Sequence, residues 1–229
     1  MTALSLPSGI TRVILGGGGH AAMLIDAFEL GGLDAPCAVL ESNPALWGTE
    51  LYGVPVVGGD DRLPELVRKG VRWFVVGLGG AGDNAPRRHL YECGLAQGLT
   101  PLTLRHPSAI CSRRVSVGAG TVLMPGAIVN AGVMLGANVI VNSGAVVEHH
   151  CVVGDHAHIA SGATLASTVR VGVACHVGAG ATIRQGLSLG DGCVVGAGAT
   201  VIGDVPAGVV VVGVPARPIG SAKTGEGTL

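Results

Sequence analysis

Between Cys111 and Pro206 one residue in six is apolar without a break, and no other feature of the chain restricts its fold as tightly. The series begins Cys111, Val117, Leu123, Val129 and ends Leu189, Val195, Val201, sixteen hexads in phase. Four residues after each comes a small or β-branched residue, such as Ala127, Ala145, Cys151 and Ala163, with Leu187 the largest of the set. Glycine often follows the aliphatic directly, as in Gly154, Gly172 and Gly196. A period of six suits neither an amphipathic helix nor a lone strand. It suits a parallel β-helix in which each hexad is one short strand plus a corner. The aliphatic is expected to fill the interior, the small residue to sit where the chain turns, and glycine to accept the corner dihedrals. Each coil buries little alone, so stability comes from stacking neighbours about 4.8 Å apart.

Residues 1–104 follow another rule. Arg12–Leu15 reads as a buried strand that runs through Gly16–Gly19 into an amphipathic helix ending near Gly31. Strands at Cys37–Leu40 and Trp73–Val76 alternate with a helix at Leu63–Lys69 and another at Pro86–Gln97, with a turn-rich stretch around Asn43-Pro44. A last short strand near Leu102–Leu104 leads to His106-Pro107, where the hexads begin. Such alternation predicts a small, mostly parallel α/β domain at 1–104, followed by the solenoid at 105–229 with a polar, mobile tail.

Composition agrees with this division. The chain is 48% hydrophobic but only 3% aromatic, as a core of Val, Ile and Ala would be. A net charge of −1 with no basic run excludes a nucleic-acid footprint. No apolar run is long enough to span a bilayer, and the N-terminus lacks the charged region of a signal peptide. Six cysteines without a CxxC pair, four of them on inward hexad positions, indicate reduced thiols and a cytoplasmic protein. Cys175 and Cys193, 18 residues apart, are expected to stack as core filler.

Gly16, Gly18 and Ala21 satisfy GxGxx(G/A) just after a strand, with Glu41 twenty residues beyond Ala21. That is the arrangement of a dinucleotide site, with the acid on a ribose hydroxyl. About 100 residues leave no room for a second mononucleotide half and a catalytic domain, however. What survives is an anion site, glycine amides at a helix N-terminus facing a diphosphate. A tight turn with no ligand is the plainer alternative.

The glycine–His loop, the hexads, Asn142–His149 and Gly213-Val-Pro-Ala-Arg217 together resemble the sugar O- and N-acyltransferases typified by bacillosamine- and perosamine-type N-acetyltransferases. The likeness covers nearly the whole chain. It implies an N-terminal Rossmann-like α/β domain followed by a left-handed parallel β-helix, with three hexads to a coil and residues 18 apart in a stack. It also implies an acetyl-CoA-dependent N-acetyltransferase acting on a nucleotide-linked amino sugar, assembled as a homotrimer with the co-substrate between adjacent solenoids. The nucleotide sugar would lie on Gly18, Gly19, His20, Glu41, Ser42 and Gly77, with Asn142 on the substrate side. Relatives carry Asp-Asp or Asp-Ala where this chain has Glu41-Ser42. His158, Ser167, Ala179 and Ala197 would line the acetyl-CoA path, Ser167 through its amide.

Five histidines lie in the repeat: His149, His150, His156, His158 and His176. Aliphatics take the inward places, so these project outward or sit at corners. A metal site needs three convergent imidazoles, and the spacings do not reproduce the pair expected of a β-helical hydratase, so no metal is expected. Solvated surface histidines remain the plain reading for His156 and His176. By resemblance His149 is the catalytic base, with Glu148 beside it and Asn130 one coil below to hold the carboxylate. Relatives carry a carboxylate after that histidine, where this chain has His150. A protonated imidazole there would oppose the charging of His149. A sialic-acid-type O-acetyltransferase is the nearest alternative, and a nicotinamide-binding regulator and a metal-dependent hydratase are the others.

Overall fold

The computed structural model describes residues 11–222. The expectations for the N-terminal residues 1–10 and for the tail from 223 onward lie outside the described residues. Contacts divide the described residues into two compact units, 11–79 with 89–102, and 80–88 with 103–222.

The first unit is a six-stranded sheet. Its strands are β1 (Arg12–Leu15), β2 (Ala38–Leu40), β3 (Glu50–Leu51), β4 (Val54–Gly58), β5 (Trp73–Val76) and β6 (Thr100–Pro101), in the order β3-β4-β2-β1-β5-β6. All neighbours are parallel except β3 and β4. Its helices are α1 (Gly19–Leu30), α2 (Leu63–Arg68) and α3 (Ala85–Ala96), the first turn of α3 being counted with the second unit. β1 lies between β2 and β5 and its last three residues are fully buried, as a central parallel strand requires. The β3–β4 hairpin occupies part of the stretch read from sequence as turn-rich. Tyr52 and Gly53 at its tip have φ of 45° and 76°, the left-handed pair that a two-residue hairpin loop needs. Pro55 weakens the strand signal of Val54–Gly58, and here it sits opposite Glu50 in the antiparallel pair.

The second unit is the left-handed β-helix. The first face stacks Leu104–Arg105, Val122–Leu123, Ile140–Val141, His158–Ile159, His176–Val177 and Val194–Val195, and continues into Val209–Val212 and the antiparallel Arg217–Ser221. The second face runs from Ile110–Cys111 to Thr200–Val201, and the third from Ser116–Val117 to Ser188–Leu189. Partners are 18 residues apart, as in Val129 against Val147 and Leu165. The strand expected near Leu102–Leu104 is two separate pieces. Thr100–Pro101 closes the α/β sheet, and Leu104–Arg105 is already the first rung of the solenoid, paired with Val122–Leu123.

Two expectations about the hexad need correcting. The small residue is not at the turn. Ala127, Ala145, Cys151 and Ala163 are fully buried immediately before their strands and fill the interior together with the aliphatic two residues later. The glycine directly after the aliphatic is set by space, not by φ. A Cβ on Gly154 would lie 2.8 Å from the Gly172 carbonyl carbon, and one on Gly172 would lie 2.4 Å from Asp191 Oδ1. The left-handed residue is the third after each aliphatic, without exception from Gly120 to Gly198. His150 (φ 59°) and His156 (φ 61°) occupy that place without being glycine.

Six free cysteines are present, and Cys193 Sγ stands 3.5 Å above Cys175 Sγ in the core. Among the described residues no helix is long and apolar enough to cross a membrane, and no group of three or more His, Cys, Asp or Glu is placed to hold a metal ion.

Candidate active site

In the first unit the candidate anion site forms where β1 runs into α1. Gly16 has φ of 94° and donates its N–H to the Leu40 carbonyl at 2.8 Å, which fixes the start of the turn. Gly18 and Gly19 are exposed at the head of α1, and a Cβ on either would meet nothing within 4 Å. The first turn of a helix leaves its N–H groups without intrahelical acceptors. His20 is half-buried in the same turn. Gly77 is placed differently. Its N–H donates to the Leu15 carbonyl at 2.7 Å, and a Cβ there would meet the Gly16 carbonyl oxygen at 2.2 Å, so this glycine lets the two loops pack.

Glu41, at the end of β2, is committed to the loop. Its Oε2 accepts the Gly17 N–H at 2.8 Å, and its Oε1 accepts the Asn43 N–H at 2.9 Å and the Ser42 hydroxyl at 3.2 Å. Burial pushes its pKa up, but the Asn43 and Gly17 amides and the Ser42 hydroxyl outweigh that and hold it below the ordinary carboxylate value. Trp47, which the sequence reading passed over, donates its indole N–H to the Glu41 carbonyl at 2.7 Å while remaining 46% exposed. Its rarity was the available signal, since the chain has two tryptophans.

In the second unit a groove of about 460 Å³ follows the corner between the first and second faces. It brings together four residues singled out from sequence: Asn142, His158, Ala179 and Ala197. Asn142 Oδ1 accepts the Ser143 N–H at 2.8 Å, which turns its Nδ2 toward His158 Nε2 at 3.1 Å. His158 Nε2 therefore accepts, and the ring proton sits on Nδ1. His176 lies one coil above with ring centroids 5.0 Å apart, as the 18-residue ruler required. Neither imidazole is solvated: His158 is 4% and His176 8% exposed. For His176 this overturns the surface reading.

The cover comes from Gly80–Arg88, which sequence reasoning had not connected to the site. A Cβ on Gly80 would meet Asn84 Oδ1 at 2.3 Å and His158 Nδ1 at 3.3 Å. Asn84 Nδ2 donates to the carbonyls of Ala174 (3.1 Å) and Cys175 (3.0 Å). The fully buried Arg87 guanidinium donates to the carbonyls of Asn138 and His156, and to that of Ala157 at 3.3 Å. Burial lowers its pKa to about 10, so it is still a cation at neutral pH. Burial, and then the Arg87 charge, push His176 below the ordinary imidazole value. Nothing in the sequence separates Arg87 from Arg88 beside it.

His149 is elsewhere. It sits with Glu148 and His150 at the corner between the second and third faces, one side of the prism away from the groove. Glu148 Oε2 accepts the His149 N–H at 3.3 Å, and His149 Nδ1 lies 3.0 Å from His150 Nδ1. Asn130 occupies the same corner one coil below, its N–H donated to the Val147 carbonyl at 2.9 Å. Ser167 is one coil above, where the Thr168 N–H donates to the His149 carbonyl at 3.0 Å. Ser167's own carbonyl accepts the Gly186 N–H, and no acceptor among the described residues takes the Ser167 N–H.

An α/β domain with a glycine loop, joined to a left-handed β-helix that carries an outward groove and a corner histidine, is an arrangement that suits an acyltransferase. Comparison with known proteins makes it particular. Residues 13–93 match the family model of the PglD N-terminal domain. The perosamine N-acetyltransferase of Caulobacter crescentus, solved with CoA and GDP-perosamine, is 37% identical with a TM-score of 0.88, over 95% of this chain and 100% of that one. The acetyltransferase domain of PglB from Neisseria gonorrhoeae, solved with acetyl coenzyme A, is 32% identical with a TM-score of 0.82, over 92% and 100%. WeeI from Acinetobacter baumannii, at 26% identity, has a TM-score of 0.80 over 92% and 100%. No curated protein sequence matches significantly. The chain belongs to the hexapeptide-repeat sugar acetyltransferases, and it is an acetyltransferase.

Proposed function

We propose that the chain moves the acetyl group of acetyl-CoA onto the amino group of a nucleotide-linked amino sugar, in one direct step with His149 as general base. The observation that carries this reading is the full-length likeness to an N-acetyltransferase solved with CoA and GDP-perosamine. In the reaction the sugar nitrogen attacks the thioester carbonyl, the carbon–sulfur bond breaks, and the CoA thiolate leaves. His149 takes the proton that the nitrogen sheds, and the Ser167 N–H is the donor for the tetrahedral oxyanion. Cysteine is not called on as a nucleophile. Burial raises the thiol pKa of Cys151, and Cys175 and Cys193 lie wholly inside the core.

The domain at 1–104 takes the nucleotide, with the diphosphate on the amides of Gly18 and Gly19 beside His20. Glu41 and Ser42 shape the loop, and Trp47 offers a flat aromatic surface for the base. The solenoid at 105–229 takes acetyl-CoA along His158, Ala179 and Ala197, with Asn142 facing the sugar. Because His149 and this groove lie at different corners of one prism, a complete site takes the base from one copy and the groove from another. That favours a closed C3 homotrimer. Free thiols and the use of nucleotide sugar and acetyl-CoA support the reading of a cytoplasmic enzyme of glycan biosynthesis.

The test is CoA release with GDP-, UDP- and dTDP-linked amino sugars, beginning with GDP-perosamine. The native chain should turn over at least one of them, and His149→Ala should lower kcat roughly 10²–10⁴-fold with the fold intact. Near-full turnover by a folded His149→Ala would remove His149 from the role.

A further inference from the structure

We propose that His150 is a positioning residue for His149: its Nδ1 accepts the Nδ1 proton of His149 and leaves the His149 Nε2 lone pair for the sugar amine. This rests on the reading of His149 as the base.

Two ring nitrogens 3.0 Å apart cannot both donate and cannot both accept. One proton lies between them, and the rings meet edge to face, 85° apart. If His149 is the donor, its proton is fixed on Nδ1 and its Nε2 is a base. When Nε2 gains a proton, the His149 imidazolium donates a charge-assisted bond to the His150 lone pair. His150 must then carry its own proton on Nε2.

The backbone explains how neighbouring side chains come together. His149 and His150 follow the strand Val146–Val147 as a turn, and His150 takes the left-handed place with φ of 59°. In an extended strand they would point to opposite faces. Gly132, one coil below, makes room, since a Cβ there would lie 2.8 Å from His150 Cδ2. Several charged or polar groups share this corner. Glu148 is tied to the His149 N–H, and Ser167 and Thr168 lie one coil above. Arg113, Arg114 and Arg184 stand two coils away by register.

The left-handed backbone also selects the test variants. Glycine at 150 removes the ring without strain. Asparagine tolerates the same φ and places Oδ1 on Cγ, where histidine has Nδ1. Turnover and kcat/KM against pH are measured for native protein, His150→Gly, His150→Asn and His149→Ala, with thermal melting for each. His150→Gly should lose roughly 10- to 100-fold in kcat, the size of one hydrogen bond to a charged group. KM should hardly change, the acid limb, below which His149 is protonated, should move to lower pH, and His150→Asn should recover most of the loss.

A limb that stays in place or moves to higher pH in His150→Gly overturns the inference, whatever happens to kcat. So does a His150→Asn as slow as His150→Gly. If His149→Ala is inactive while His150→Gly behaves as native, only this inference falls. If His149→Ala stays active, the base assignment falls with it.

Discussion

The Glu41 carboxylate reaches back across 24 residues to accept the Gly17 N–H at 2.8 Å, so the end of β2 holds the glycine loop that follows β1. A Cβ on Gly17 would lie 2.9 Å from Glu41 Oε2, which leaves the loop no slack on that side. The acid expected to meet a ribose hydroxyl thus spends much of its capacity on shaping the site.

Glu41→Ala should therefore raise the KM for nucleotide sugar and leave the KM for acetyl-CoA nearly unchanged. The acid side carries a second signature. Because the folded-state pKa of Glu41 is lowered, its stabilisation is complete above the unfolded value of roughly 4.3 and is lost as pH falls through the folded value. Melting curves between pH 3 and 6 should show a smaller acid loss in Glu41→Gln than in the native chain. Equal losses would mean that the carboxylate does not brace the loop.

Gly18 gives a cleaner separation of binding from folding. With φ of −79° and open space around its Cβ direction, Gly18→Val should leave the melting temperature nearly unchanged. With the diphosphate on these amides, as proposed, a side chain there crowds it, so nucleotide-sugar KM should rise while acetyl-CoA KM stays. A parallel rise in both constants would contradict a diphosphate at this loop.

The solenoid was legible because its repeat is a packing rule written in every coil. One aliphatic and one small residue fill each side of the interior, and the 18-residue ruler placed His176 over His158 and Cys193 over Cys175. The hairpin at Glu50–Gly58 was not legible, since Pro55 interrupts its apolar alternation. Nor was the cover on His158 and His176. It depends on Gly80, Asn84 and Arg87, whose roles are carbonyl-directed hydrogen bonds and steric fit, and these leave no period in a sequence. The His149–His150 contact needed the left-handed φ of residue 150, which the hexad marks with glycine in most coils but not in this one.

Arg87→Met should test that cover. It removes a buried cation and strips donors from the carbonyls of Asn138 and His156, at a cost of about 1–3 kcal/mol for each carbonyl left unpaired. His176 adds a pH dependence. Its folded-state pKa is lowered, first by burial and then by Arg87, so stability is full above the unfolded value of roughly 6.5 and declines as pH falls below it. Chemical denaturation at pH 5 and 8 should show a smaller difference in Arg87→Met than in native protein, because one of the two causes is gone. A difference that grows would mean that Arg87 does not oppose charging of His176.

The separation of His149 from the groove makes the shared site testable by mixing. His149→Ala should be inactive for want of a base. Ala179→Trp, at an exposed groove position, should be inactive for want of acetyl-CoA binding. If each site joins the base of one copy to the groove of the next, random reassembly of equal amounts gives both native parts in about one site in four. Co-refolding the two inactive variants should then restore about a quarter of native turnover, while each refolded alone stays inactive. If each chain used its own His149 with its own groove, every chain in the mixture would still lack one part, and no activity would return. The readout is CoA release after co-refolding, with light scattering on the same sample to confirm reassembly. Silence from a properly reassembled mixture would sink the shared site.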